Sequence, residues 1–225
     1  MKNLLIAALW VLLFAQGCKK DLEVVKENEK IEIPPDPAES NPIIGTPQAD
    51  GPNTNILSRS LNLVVGYNKN VFLDVDADGM SDFSFFGVLI YHDNRPNLYL
   101  AVTPKTSKGS RVLVKTGEEF LINGLWSAPL EKDVVIQEAS PSDYSWTGPQ
   151  VKGYIVASSK TAASDEYYGL WIGKADKYLG IKFKLNNKYH YGWVRISHTK
   201  STDELMISDY AYNTIPEQGI AAGQN

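Results

Sequence analysis

The sequence is short of the residues that most often announce chemistry. It has one cysteine and three histidines among 225 residues. One thiol cannot cross-link a fold internally, so stability has to come from packing or from a bound ion. His92, His190 and His198 do not share the i, i+4 spacing of a zinc-protease helix. No Gly-x-Ser-x-Gly elbow and no phosphate-cradling glycine loop occurs. Basic residues do not predominate either: 22 Lys and Arg stand against 26 Asp and Glu, for a net charge of −4. That balance provides no cationic face for a nucleic acid, so none is expected as a partner. Helical periodicity is missing outside the N-terminal apolar segment, and no later run approaches the ~20 apolar residues that span a bilayer.

What is present begins with an export signal. Lys2 precedes an apolar run from Leu4 to Phe14, followed by Ala15-Gln16-Gly17-Cys18. The run is too short to span a membrane and ends in small residues, so residues 1–17 read as a signal peptide. The lone cysteine directly after it resembles a bacterial lipobox, with Ala15 where leucine is usual. This implies lipid attachment at Cys18 and a membrane anchor. Lys19-Lys20-Asp21 resembles the start of lipoproteins displayed on the outer face of Gram-negative cells, which points to the outer membrane. Residues 18–55 then form a tether. From 19 to 55 there are six of the twelve prolines and eight acidic against four basic side chains, a composition that cannot bury a core.

From residue 56 to 225 the pattern is short apolar and β-branched runs punctuated by turns, which predicts one all-β domain of the β-sandwich or jelly-roll class. Runs at 61–65, 70–73, 83–91, 98–102, 111–114, 134–137, 154–157, 167–172 and 205–212 read as strands. The clearest hairpin pairs 181–185 with 189–197 through Asn186 and Asn187, residues that tolerate the left-handed backbone of a tight turn. Its second arm is apolar or aromatic on both faces, as a covered central strand would be.

Between two of these runs lies Asp74-Val75-Asp76-Ala77-Asp78-Gly79-Met80-Ser81-Asp82, four carboxylates in nine residues. Anions that close repel unless a cation sits among them. Counted from Asp74, the stretch matches an EF-hand calcium loop at positions 1, 3, 5 and 9, with glycine at 6 and the Met80 carbonyl at 7. Position 12 is Phe85, so the bidentate glutamate is missing, and the flanks favour strands over helices. We therefore expect Ca2+ held by Asp74, Asp76, Asp78, Met80 and Asp82, with Kd on the order of 10⁻⁴–10⁻³ M as in extracellular modules. The plainer reading is an acidic surface turn, since Asp and Gly form turns anyway.

The order Asp82-Phe83, Tyr178-Leu179-Gly180-Ile181-Lys182-Phe183, Tyr191-Gly192-Trp193-Val194-Arg195, Asp209-Tyr210-Ala211-Tyr212 and Ile220-Ala221-Ala222-Gly223 resembles a family of secreted bacterial β-proteins, many with sorting tails or lipid anchors. The resemblance implies a calcium-binding envelope or extracellular module and no established reaction.

Other residues supply rival readings. Trp126, Trp146 and Trp171 lie in or beside loop-like segments; Trp126 and Trp146 are candidates for stacking on a sugar ring, against the alternative that each fills the core. Trp193 is expected in the core, with Arg195 stacked on it. His190 and His198 flank one strand and are expected at the surface. Glu118-Glu119 and Asp165-Glu166 are the candidate carboxylate pairs for glycoside hydrolysis, although adjacent carboxylates are usually just solvated. The sequence thus favours binding or scaffolding over catalysis, with a glycan or another envelope protein as partner.

Overall fold

The computed structural model describes residues 55–92, 95–120, 124–139, 141–160 and 164–225. The signal segment, Cys18 and nearly all of the tether lie outside the described residues. The apolar runs form β1 (Ile56–Val65), β2 (Val71–Leu73), β3 (Phe83–His92), β4 (Arg95–Pro104), β5 (Arg111–Phe120), β6 (Gly124–Ser127), β7 (Val135–Ile136), β8 (Tyr144–Trp146), β9 (Lys152–Lys160), β10 (Asp165–Tyr168), β11 (Lys177–Leu185), β12 (Lys188–Thr199), β13 (Glu204–Asn213) and β14 (Ile220–Ala221). Among the described residues the one helical piece is a 3-10 turn at Thr106–Lys108, and no helix is long and apolar enough to cross a membrane.

The domain is all-β. Its main sheet has the order β1-β13-β12-β11-β5-β6-β9-β4-β3-β2, with β10 beside β9 and β8 beside β5. The sheet folds over on itself at β5, whose start pairs with β11 (Val112 opposite Ile181) and whose middle pairs with β6 (Val114 opposite Ser127). The two halves face each other across a core that includes Phe83, Phe85, Ile155, Trp171, Phe183 and Tyr210. The free edges nearly meet: Tyr67, just beyond β1, makes a parallel bridge to Gly87 in β3. A Cβ at Gly87 would stand 2.3 Å from the Gly66 carbonyl oxygen, so only glycine lets the seam close.

The hairpin read from the sequence is present. Leu185 faces Lys188 across Asn186 and Asn187, which have φ of 52° and 62°, as a two-residue hairpin turn demands. β12 runs between β11 and β13 and is buried over most of its length. Its outer face is covered because the small β7–β14 sheet folds over it, giving a second apolar cluster of Tyr178, Tyr191, Trp193, Ile136 and Ile220. The run expected at 167–172 stops at Tyr168. Gly169 then takes φ of 114°, and the chain turns so that Trp171 enters the core and its indole N–H donates to the Ser127 carbonyl at 2.9 Å.

Candidate metal centre

The aspartate loop connects β2 to β3, and the ladder of that hairpin dictates what its base looks like. Val71 faces Phe85, Phe72 faces Ser84 and Leu73 faces Phe83; the next opposed pair is Asp74 and Asp82. Like charges directly opposite on antiparallel strands repel, and both residues are fully buried. Backbone donors relieve part of this. The Val75 N–H donates to Asp82 Oδ2 at 2.8 Å, and the Gly79 N–H donates to Asp74 Oδ2 at 2.9 Å. The second oxygen of each, Asp74 Oδ1 and Asp82 Oδ1, is buried with no hydrogen-bond partner. Such groups are uncommon in folded proteins and costly.

The loop above them is wound tightly. Ala77 and Gly79 take φ of 59° and 87°, a left-handed path that glycine follows freely and alanine only under constraint. Asp76 Oδ1 accepts from the Asp78 N–H at 3.3 Å, and Asp78 Oδ1 accepts from the Met80 N–H at 3.0 Å. Val75 is buried beneath, its carbonyl reached by the Tyr210 hydroxyl at 3.4 Å. The winding brings one carboxylate oxygen from each of Asp74, Asp76 and Asp78 within 4.8 Å of the others. A group of this composition can hold a metal ion. Asp82 stands beside it, with its Oδ2 taken up by Val75, and the Met80 side chain is exposed.

A residue that sequence reasoning missed completes the arrangement. Lys108 closes the 3-10 turn after β4 and sends its ammonium into the loop, pairing with Asp78 and lying 3.6 Å from Asp76 Oδ2. The turn is tied there because the Lys105 N–H donates to the Asp82 carbonyl at 2.8 Å. No local signal links Lys108 to Asp78; they are 30 residues apart in sequence. The electrostatics follow from burial and from this one cation. Burial pushes the Asp82 carboxyl up to about 7 and also raises Asp76, against the pull of Lys108. Burial is the largest single influence on Asp78 and would raise it, but the hydrogen bond and charge of Lys108 and the Met80 N–H together outweigh it and lower the carboxyl. Lys108 is in turn raised, since its carboxylate partners outweigh its own desolvation.

The other candidates fall elsewhere. Trp126 packs into an apolar cluster on the outer face of the sheet, edge-on to Tyr154 at 6.4 Å and against Gly169, and is 8% exposed. Trp146 is half-buried: Lys182 Nζ stands 4.9 Å over its ring, Tyr191 lies 6.1 Å away and its N–H donates to the Gln137 carbonyl. Trp126 is thus nearly covered, and Lys182 takes one face of the Trp146 ring. His190 and His198 are buried, not at the surface, because they share the side of β12 with Val194 and Ile196, which faces the main core. His190 Nδ1 bonds the Asn213 carbonyl, and His198 Nδ1 accepts from the Gly173 N–H. Arg195 does not stack on Trp193 as expected. It forms two charge-assisted bonds with its cross-strand neighbour Asp209, at 2.8 and 2.6 Å, while Trp193 meets Tyr178 edge to face. Asp165 and Glu166 are exposed neighbours on one strand and point to opposite faces, so they do not converge. The side chains of Glu118 and Glu119 lie outside the described residues.

No family model, no curated protein and no solved structure matches this chain.

Proposed function

We propose that the chain is a cell-envelope lipoprotein that displays a calcium-stabilised β-domain with a binding or scaffolding role. The observation that carries the metal part is the convergence of Asp74, Asp76 and Asp78 around a buried Asp74 oxygen that has no donor. The donor set consists of hard oxygens on a loop between strands, with no sulfur or imidazole, which favours Ca2+ over softer metals. A loop of this kind adapts to the irregular, six- to eight-oxygen shell of calcium better than to the strict octahedron of magnesium. The Met80 carbonyl and Asp82 are the nearest further oxygens in sequence for that shell. In this reading Cys18 carries the lipid, residues 19–55 provide reach from the outer membrane, and the domain meets its partner, a glycan or another envelope protein, outside the bilayer.

Calcium that binds only the folded state stabilises it by RT ln(1 + [Ca]/Kd), about 2.7 kcal/mol at a hundredfold excess over Kd. The test is a thermal melt in calcium and in chelator, for the wild type and Asp78→Ala. We expect calcium to raise the melting point of the wild type and to leave that of the variant unchanged. A wild-type melt identical in the two buffers would remove the calcium assignment.

A further inference from the structure

We infer that Lys108 is a built-in competitor for the metal: its ammonium holds the aspartate loop together when no divalent ion is bound, and an incoming ion must expel it. The inference rests on the calcium reading above and concerns how that same site is regulated.

The backbone around Lys108 is fixed, and its side chain alone is free to leave. The Lys108 N–H donates to the Lys105 carbonyl at 3.1 Å, and the Gly109 N–H donates to the Thr106 carbonyl at 3.0 Å. Gly109 ends the turn at φ of 65°, and a Cβ there would come within 2.9 Å of the Lys184 side chain. From this base a flexible four-carbon stem runs into the loop, leaving the side chain 11% exposed. Its way out is open, since Asp78, the carboxylate it grips, is 36% exposed.

The ammonium is an incomplete substitute for a metal. It brings one positive charge and three donors to a site with four aspartates around it. It engages Asp78 and lies near Asp76, yet Asp74 Oδ1 and Asp82 Oδ1 remain without a partner. A divalent cation brings twice the charge and accepts six to eight oxygens, so it can satisfy what the lysine cannot. Against it, the lysine is tethered and always present at high effective concentration. The outcome is an exchange: the ion enters, the ammonium swings to solvent, and the apparent affinity is lowered by the stability of the lysine-bound state. Such a site fills only where calcium is abundant, as it is outside the cell, and the loop stays neutralised while it is not. Calcium binding is thereby converted into the release of a cationic side chain beside the β2–β3 loop.

The experiment uses the full chain in detergent, with two readouts. The first is the rate at which an amine-acetylating reagent modifies Lys108, measured by peptide mass spectrometry, with exposed Lys132 as internal reference. The second is calorimetric titration of Ca2+ into the wild type and Lys108→Met. We expect Lys108 to be protected in chelator and modified about tenfold faster in saturating calcium, and Lys108→Met to bind calcium about tenfold more tightly, the equivalent of about 1.4 kcal/mol. Calcium binding with unchanged acetylation of Lys108, or equal affinity of the two proteins, would overturn the inference while leaving the metal site intact. Absence of calcium binding by both proteins would overturn the metal reading and this inference with it. Should Lys108→Met fail to fold, acetylation of the unaltered protein decides alone.

Discussion

Replacing Asp82 with asparagine separates the electrostatic burden of the aspartate loop from its geometry. The amide keeps an oxygen to accept the Val75 N–H, the bond that Asp82 Oδ2 makes at 2.8 Å, and changes the side-chain volume little. What it removes, at a pH above the value of about 7 where the Asp82 carboxyl is ionised, is one of two buried negative charges at the base of the hairpin, each with an oxygen lacking a donor. A buried group left in that state costs about 1–3 kcal/mol. In a domain of 150–250 residues each kcal/mol moves the melting point by about 2–4 °C. In chelator, Asp82→Asn is therefore expected to melt roughly 2–12 °C above the wild type. In saturating calcium the advantage should shrink or reverse, because the wild-type carboxylate then faces a divalent cation. The assay is differential scanning calorimetry of both proteins in both buffers. A melting point that falls in chelator would refute the reasoning, since it would mean that the Asp82 charge is already compensated in the metal-free domain.

Three further outcomes are expected. Gly87→Ala places a methyl group 2.3 Å from the Gly66 carbonyl oxygen and should cost at least about 1–3 kcal/mol by prising the β1–β3 seam apart; an unchanged thermal melt would mean that the seam lies outside the cooperative fold. Glu138 accepts from Lys182 at 2.7 Å and from the Tyr191 hydroxyl at 3.0 Å, and the Lys182 bond above all holds its carboxyl below the ordinary glutamate value. A lowered carboxyl stabilises the fold at neutral pH and loses that contribution as pH falls below the glutamate range. Glu138→Gln should thus lower the urea midpoint at pH 7 and lower it progressively less as the pH falls below the glutamate range; because Glu138 is largely exposed, the effect should be small. Cys18→Ser should move the protein from the membrane fraction to the soluble one, and an unchanged distribution would remove the lipid anchor.

The parts of the fold legible in the sequence are those written into neighbouring residues. Alternation of Lys with Ile181, Phe183 and Leu185, followed by two asparagines, specifies one arm and the turn of the β11–β12 hairpin. The aspartate loop is legible for the same reason: its carboxylates converge through local winding at Ala77 and Gly79. What composition leaves hidden is whatever a distant strand supplies. Lys108 reaches Asp78 only because the turn after β4 is tied to the start of β3 at Asp82. His190 and His198 read as surface residues because nothing near them fixes which face of β12 turns toward the main core, and Trp126 reads as undecided because nothing near it reveals the Gly169 turn that packs on it. Spacing along β12 sets Arg195 beside the aromatic two residues away, whereas the register with β13 puts Asp209 directly opposite it.

The central claim is that a divalent cation belongs among Asp74, Asp76 and Asp78, and a crystal grown in millimolar calcium tests it most directly. The account predicts an anomalous difference peak with oxygens of those residues about 2.3–2.6 Å away, and the Lys108 ammonium turned out toward solvent. Strong density for Lys108 still seated among the carboxylates, with no peak beside it, would contradict it.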